Sequence, residues 1–270
     1  MSNRLSPFLA VMMILGFAFL YGPIASVIVY SFNASRLVTV WAGFSVRWYG
    51  ELFANEQIMR AALTSFEIAL MSATGALILG TATGFVLSRY RRFFGRYFFG
   101  ALVTGPLVMP EVITGLSLLL LFVAMEQLFG WPRGRGISTI VIAHITLGMA
   151  YVSVVIEARL SAFDRSLEEA ALDLGARPWK VFAVITLPLI APALVAGWLL
   201  AFTLSFDDLV IASFTTGPSA TTLPMVIFSS VRLGLSPQIN ALATILLVVV
   251  AAFILISARL VARTRKSAGS

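Results

Sequence analysis

Cysteine is absent from the 270 residues, and there is a single histidine, His144. Without cysteine there can be no disulfide, no thiolate-bound metal and no iron–sulfur cluster. One histidine is too little material for a zinc site or a histidine-based triad, and His144 reads as a packed, hydrogen-bonded residue. Charge is also scarce: Asp, Glu, Lys and Arg together make 11% of the chain. No Gly-Lys dipeptide occurs, which excludes a phosphate-cradling glycine loop ending in Gly-Lys-Ser or Gly-Lys-Thr. Paired carboxylates and nucleophile constellations are missing too, so an integral membrane enzyme has no support. The expectation is no catalytic residue, no metal and no cofactor; any ATP must be hydrolysed by another chain.

What is there is apolar. Hydrophobic residues make up 59% of the chain, far from the composition of a soluble globular domain. The net charge of +7 does not point to nucleic acid, because the basic residues fall at the ends of apolar runs. The first run, 7–32, is longer than a signal-peptide core and lacks a clear small-residue cleavage site, so it reads as an uncleaved membrane span. In the connection 36–60, the piece from Arg47 to Leu52, with Trp48 and Tyr49, reads as an interfacial amphipathic segment.

Residues 62–87 form the second span, where Gly80 and Gly84 allow a close helix neighbour. A basic loop with Arg89, Arg91, Arg92 and Arg96 follows. The third span, 98–125, is interrupted by Pro106 and Pro110, and the fourth is 138–156. The fifth, 189–206, carries Ala193, Gly197, Ala201 and Ser205 as one smooth stripe. A short re-entrant or surface helix over 221–231 precedes the sixth span, 239–260. The fold class is therefore an all-α integral membrane protein with six transmembrane helices, one transmembrane domain over 1–270.

Basic residues are unequally divided between the two sides. One side holds Arg4, the Arg89–Arg96 cluster, Arg165, Arg177, Lys180, Arg259, Arg263, Arg265 and Lys266; the other has fewer, among them Arg36, Arg47, Arg60, Arg133, Arg135 and Arg232. The positive-inside rule then puts both termini and the loop 161–188 in the cytoplasm.

That loop is the most informative stretch. Ser166 with Glu169 three residues on reads as a capping box, starting a helix near Leu167. Gly175 suits the left-handed turn that ends a helix, and Pro178 the first position of the next. The product is a helix, a bend and a second helix at a membrane surface: an elbow that offers a soluble partner a rigid knob.

Glu169-Ala170-Ala171, three residues, Gly175, nine residues, Ile185, one residue and Leu187-Pro188 resemble the EAA loop of the permease subunits of bacterial ABC importers. Narrower pieces are similar to polyamine importer permeases, above all those for putrescine: Trp48-Tyr49, the run from Pro106 to Gly115, the run from Ser205 to Phe214, Thr222 to Met225, and Pro237 to Ala241. The resemblance implies the type I importer permease fold, with 161–188 as the coupling helix loop. It implies ATPase coupling through Glu169, Ala170, Ala171, Gly175, Ile185, Leu187 and Pro188. It further implies a cytoplasmic ATPase dimer, a second homologous permease and a periplasmic polyamine-binding protein as partners, in the bilayer of a bacterial inner membrane. Permeases for spermidine, iron or sulfonates share parts of the pattern, and an ion-coupled secondary transporter is the alternative from another class.

A carboxylate within a span costs about 2.5–3.5 kcal/mol at its centre and needs a reason. Glu111 lies about 13 residues into the third span, roughly 20 Å along a helix, beside two prolines that free backbone carbonyls. Asp207 and Asp208 close the fifth span. Together the three read as an acidic lining for a small organic cation.

Overall fold

The computed structural model describes residues 6–37, 40–90, 92–234 and 236–251. Arg4, Arg91, Arg259, Arg263, Arg265, Lys266 and the last part of the sixth span lie outside them. The described chain is helical: α1 (Pro7–Ser31), α2 (Arg47–Ala54), α3 (Glu56–Arg89), α4 (Arg96–Val108), α5 (Glu111–Phe129), α6 (Ile137–Ser161), α7 (Ser166–Asp173), α8 (Pro178–Val181), a π-helical turn (Phe182–Thr186), α9 (Leu187–Phe206), α10 (Val210–Thr215) and α11 (Leu223–Leu233). A last helix, α12, covers Pro237–Ala251. Among the described residues, five stretches are long and apolar enough to cross a membrane: α1, α3, α5, α6 and the run Pro178–Phe206. The chain divides into two compact units, residues 60–226 and the flanking residues up to 59 with those from 227.

In the flanking unit, α1 is apolar all round and its most apolar stretch has no buried residue, the mark of a helix made for lipid or another chain; among its described residues only Ser31, at its end, is buried. The connection after it is tied to one asparagine. Asn33 is fully buried; its side-chain oxygen accepts the N–H groups of Ser35 and Ala42, and its amide donates to the Val40 carbonyl at 2.7 Å. Trp48 donates its ring N–H to the Asn33 carbonyl at 2.6 Å and is 3% exposed. The amphipathic segment expected here is a helix, α2, but Trp48 is not a membrane anchor: it is turned into protein, where a buried indole finds its hydrogen bond. Gln238 at the start of α12 donates to Glu51 and accepts from Asn55.

In the unit 60–226, α6 is the centre, the most deeply buried of the five spans. Val152, Ile156 and Leu160 pack with Ala73 and Ala76 of α3 and with Ile190 and Ala201 of α9. Farther along, Ala143 and Leu147 meet Ile211 of α10. Small residues let the neighbours in: a Cβ on Gly80 would stand 2.6 Å from the Val152 Cβ, and one on Gly84 would stand 2.7 Å from the Ser153 carbonyl oxygen. The stripe on α9 faces α6 as well, with Gly197 against Val152 and Ala201 against Gly148.

Two spans differ from the expected runs. The third, expected to be interrupted at its prolines, is two separate helices broken at Met109 and Pro110; Pro106 lies inside α4, and Glu111 stands in the first turn of α5. A residue before proline is pushed out of the helical region, and Met109 has ψ 137°. The fifth begins earlier, since the elbow's second helix runs without interruption from Pro178 to Phe206. Pro188 can sit inside it because the π-helical turn before it resets the hydrogen-bond ladder that proline would break.

Candidate functional site

The elbow is built from local signals, with one correction. Ser166 is the first residue of α7 rather than its cap: Arg165 precedes it, without a side-chain cap bond, and the Arg165 carbonyl accepts the Glu169 N–H. The helix is started instead by Asp164, whose carboxylate accepts the Ser166 N–H at 3.0 Å. That bond holds the Asp164 carboxyl below the usual carboxylate range. At the other end, Gly175 has φ +82°, and the Ala176 N–H reaches the Ala171 carbonyl while the Gly175 N–H reaches that of Leu172. This is the paired closure of a Schellman motif, which favours glycine at the left-handed position. Pro178 opens α8, as the sequence suggests.

No residue of α7 is buried. Leu174 is 89% exposed and Trp179 66%, so the bend presents apolar side chains to whatever lies beyond it. Among the signature residues Glu169, Ala170, Gly175, Leu187 and Pro188 are exposed, while Ala171 and Ile185 are half-buried.

Glu168, which the sequence reading passed over, is the acid that anchors the elbow. Its Oε1 accepts from Arg89 Nη2 at 2.6 Å and from the Thr186 hydroxyl at 2.5 Å, joining α3, α7 and the π-helical turn. The side chains are only 10% and 15% exposed. Arg165 donates to the Ser88 carbonyl and Arg96 to that of Leu87. Both carbonyls belong to the last turn of α3, where helix acceptors lack internal partners. Arginines counted for orientation thus also close a helix end. No local spacing signals the Glu168–Thr186 contact.

The candidate path acids differ from one another. Glu111 is exposed at the helix break, beside Thr114 and Gly115, which are buried; Gly115 lies against Phe214 of α10. Asp207 is exposed at the end of α9. Asp208 is turned inward, 6% exposed: its Oδ1 accepts the Ile211 N–H, and its Oδ2 accepts the Ala212 N–H at 2.7 Å and a bond from His144 Nε2 at 3.1 Å. His144 Nδ1 lies 2.7 Å from the Ser205 hydroxyl. Among the described residues no group of three or more His, Cys, Asp or Glu could hold a metal.

Residues 76–267 match the family described as binding-protein-dependent transport system inner membrane component. The chain is 59% identical over 261 residues to the putrescine transport system permease protein PotI of Escherichia coli (strain K12), covering 97% of this chain and 93% of that protein. It is 42% identical over 250 residues to the spermidine/putrescine transport system permease protein PotC of the same strain, covering 92% and 91%. These relatives are permease subunits, not enzymes. In fold, the chain resembles a chain of a bacterial ABC transporter that imports the acidic polysaccharide alginate, with TM-score 0.73 at 16% identity over 95% of this chain and 98% of that one. A chain of the MetNI methionine ABC transporter matches with TM-score 0.61 at 15% identity, over 77% and 95%. The chain spans a membrane several times and belongs to the binding-protein-dependent transport system inner membrane component family.

Proposed function

We propose that this chain is a transmembrane subunit of an ATP-driven importer and forms, with a second permease, the translocation path for putrescine or a related polyamine. The observation that carries the proposal is the 59% identity to a putrescine permease across 97% of the chain. The whole of 1–270 works as one permease domain, with 161–188 as its coupling loop. Both termini and that loop face the cytoplasm. An ATPase dimer docks on the elbow through Glu169, Ala170, Ala171, Gly175, Ile185, Leu187 and Pro188, and hydrolyses the ATP. The exposed apolar bend supports this role. A periplasmic polyamine-binding protein delivers cargo on the other side.

Glu111 and Asp207 supply the exposed negative charge of the path, and Asp208 backs the same corner from within, 6% exposed. An importer must release its cargo, so a few carboxylates suit it better than a tight cage. In a narrow, partly dry passage they still favour a diamine over a neutral solute. Radiolabelled putrescine uptake into proteoliposomes holding the complete complex is the test. The triple change Glu111→Gln, Asp207→Asn and Asp208→Asn should cut uptake strongly while the ATPase stays bound. Normal uptake by the triple variant overturns the acidic path. Uptake that collapses with the proton gradient while ATP remains would instead favour an ion-coupled carrier.

A further inference from the structure

We infer that His144 is a positioning residue for cargo recognition: together with Ser205 it holds Asp208 away from the path, so that the corner between α9 and α10 offers one free carboxylate, that of Asp207, in a fixed place. The inference rests on the reading of that corner as part of the path.

The hydrogen bonds assign the protons. A carboxylate only accepts, so the 3.1 Å contact from His144 Nε2 to Asp208 Oδ2 places a proton on Nε2. On the other side of the ring, Nδ1 lies 2.7 Å from the Ser205 hydroxyl and is hydrogen-bonded to it. Asp208 thereby receives three donors: His144, the Ile211 N–H and the Ala212 N–H. The last two amides belong to the first turn of α10, which has no internal partners for them. One carboxylate thus starts α10 and is pinned to α6 in the same act. Both side chains of the pair are nearly sealed, at 2% and 6% exposed.

Asp207 precedes this knot by one residue and ends α9, with its N–H bonded to the Thr203 carbonyl. Neither the first turn of α10 nor the end of α9 can turn without breaking the bonds to Asp208 and Ser205. The position of the exposed Asp207 carboxylate is therefore fixed from α6, through a histidine that itself touches no cargo. Holding Asp208 inward also sets the charge at the corner. A single carboxylate faces cargo, and release of Asp208 would double the negative charge there.

The test compares H144L, H144Q, D207N and the double variant H144L/D207N in the complete complex, by putrescine uptake and by amide hydrogen exchange at Ile211 and Ala212. Loss of a hydrogen bond to a charged group predicts that H144L raises the half-saturation concentration about ten-fold. H144Q, whose amide N–H can reach Asp208, should restore most of it. In the D207N background H144L should add nothing, since the group it positions is already gone. Exchange at Ile211 and Ala212 should quicken in H144L and not in H144Q or D207N. An H144L complex with reduced yield but an unchanged half-saturation concentration would reduce His144 to a structural role, and additive effects of H144L and D207N would separate it from Asp207. Normal uptake by D207N would overturn the reading of the corner as path. Unchanged exchange in H144L would overturn the latch itself, so the two failures are told apart.

Discussion

Two pairs of adjacent acids, Glu168-Glu169 in the elbow and Asp207-Asp208 at the end of the fifth span, are handled alike and to different ends. In each, one carboxylate is turned in and bonded and its neighbour is left open. Glu168 and Glu169 are helix neighbours and point about 100° apart, whereas Asp207 and Asp208 lie in the turn between α9 and α10. The inward acids also differ. Glu168 is held by an arginine and a threonine from other elements, a charged pair near the surface. Asp208 is held by a histidine and two backbone amides. An arginine–glutamate pair stiffens the elbow, whereas a histidine and the amides of a helix start close the corner.

The sharpest way to break this comparison is to remove one inward acid. Glu168→Ala leaves the Arg89 guanidinium largely buried without its carboxylate, and loss of one partner of a buried pair costs about 3–5 kcal/mol. Thermal unfolding of the purified complex should drop accordingly. Glu169→Ala should change stability by less than about 0.5 kcal/mol, as exposed substitutions do, yet weaken ATPase docking. Equal thermal losses for the two variants would end the distinction between inward and outward acids in the elbow.

At the corner the expected effect is smaller. Asp208→Ala removes bonds to His144 and to two amides, and should cost about 2–3 kcal/mol. Asp207→Ala should leave the unfolding temperature unchanged and raise the putrescine concentration needed for half-maximal uptake. A stability loss with Asp207→Ala would show that the outward acid also carries structure.

Gly175→Val sharpens the elbow side alone. No atom lies within 4 Å of a Cβ at this position, so crowding is not the issue. The cost is the left-handed backbone, about 1–2 kcal/mol for a residue with a Cβ. The variant should reach the membrane and fail in uptake. Normal uptake would show that this bend does not transmit the motion of the ATPase.

Much of this was legible in the sequence because it is local. The left-handed Gly175, the proline that opens α8, the glycines on α3 and the small stripe on α9 each depend on a few neighbouring residues and one helical period. The capping box at Ser166 misled because Asp164 competes for the same N–H and sits two residues earlier, where an Asx turn needs it. The break in the third span was legible at Pro110, which pushes Met109 out of the helix.

By itself, then, the sequence determined the helical membrane class, the elbow and its bend, since apolar runs longer than a bilayer and turn chemistry at glycine and proline leave few alternatives. Which member of each acid pair is bound was decided only by tertiary structure. Arg89 lies 79 residues from Glu168, and His144 lies 64 residues from Asp208. Only the packing of α3, α6 and α9 against one another brings such partners within hydrogen-bond reach, and no local pattern encodes a contact over that separation.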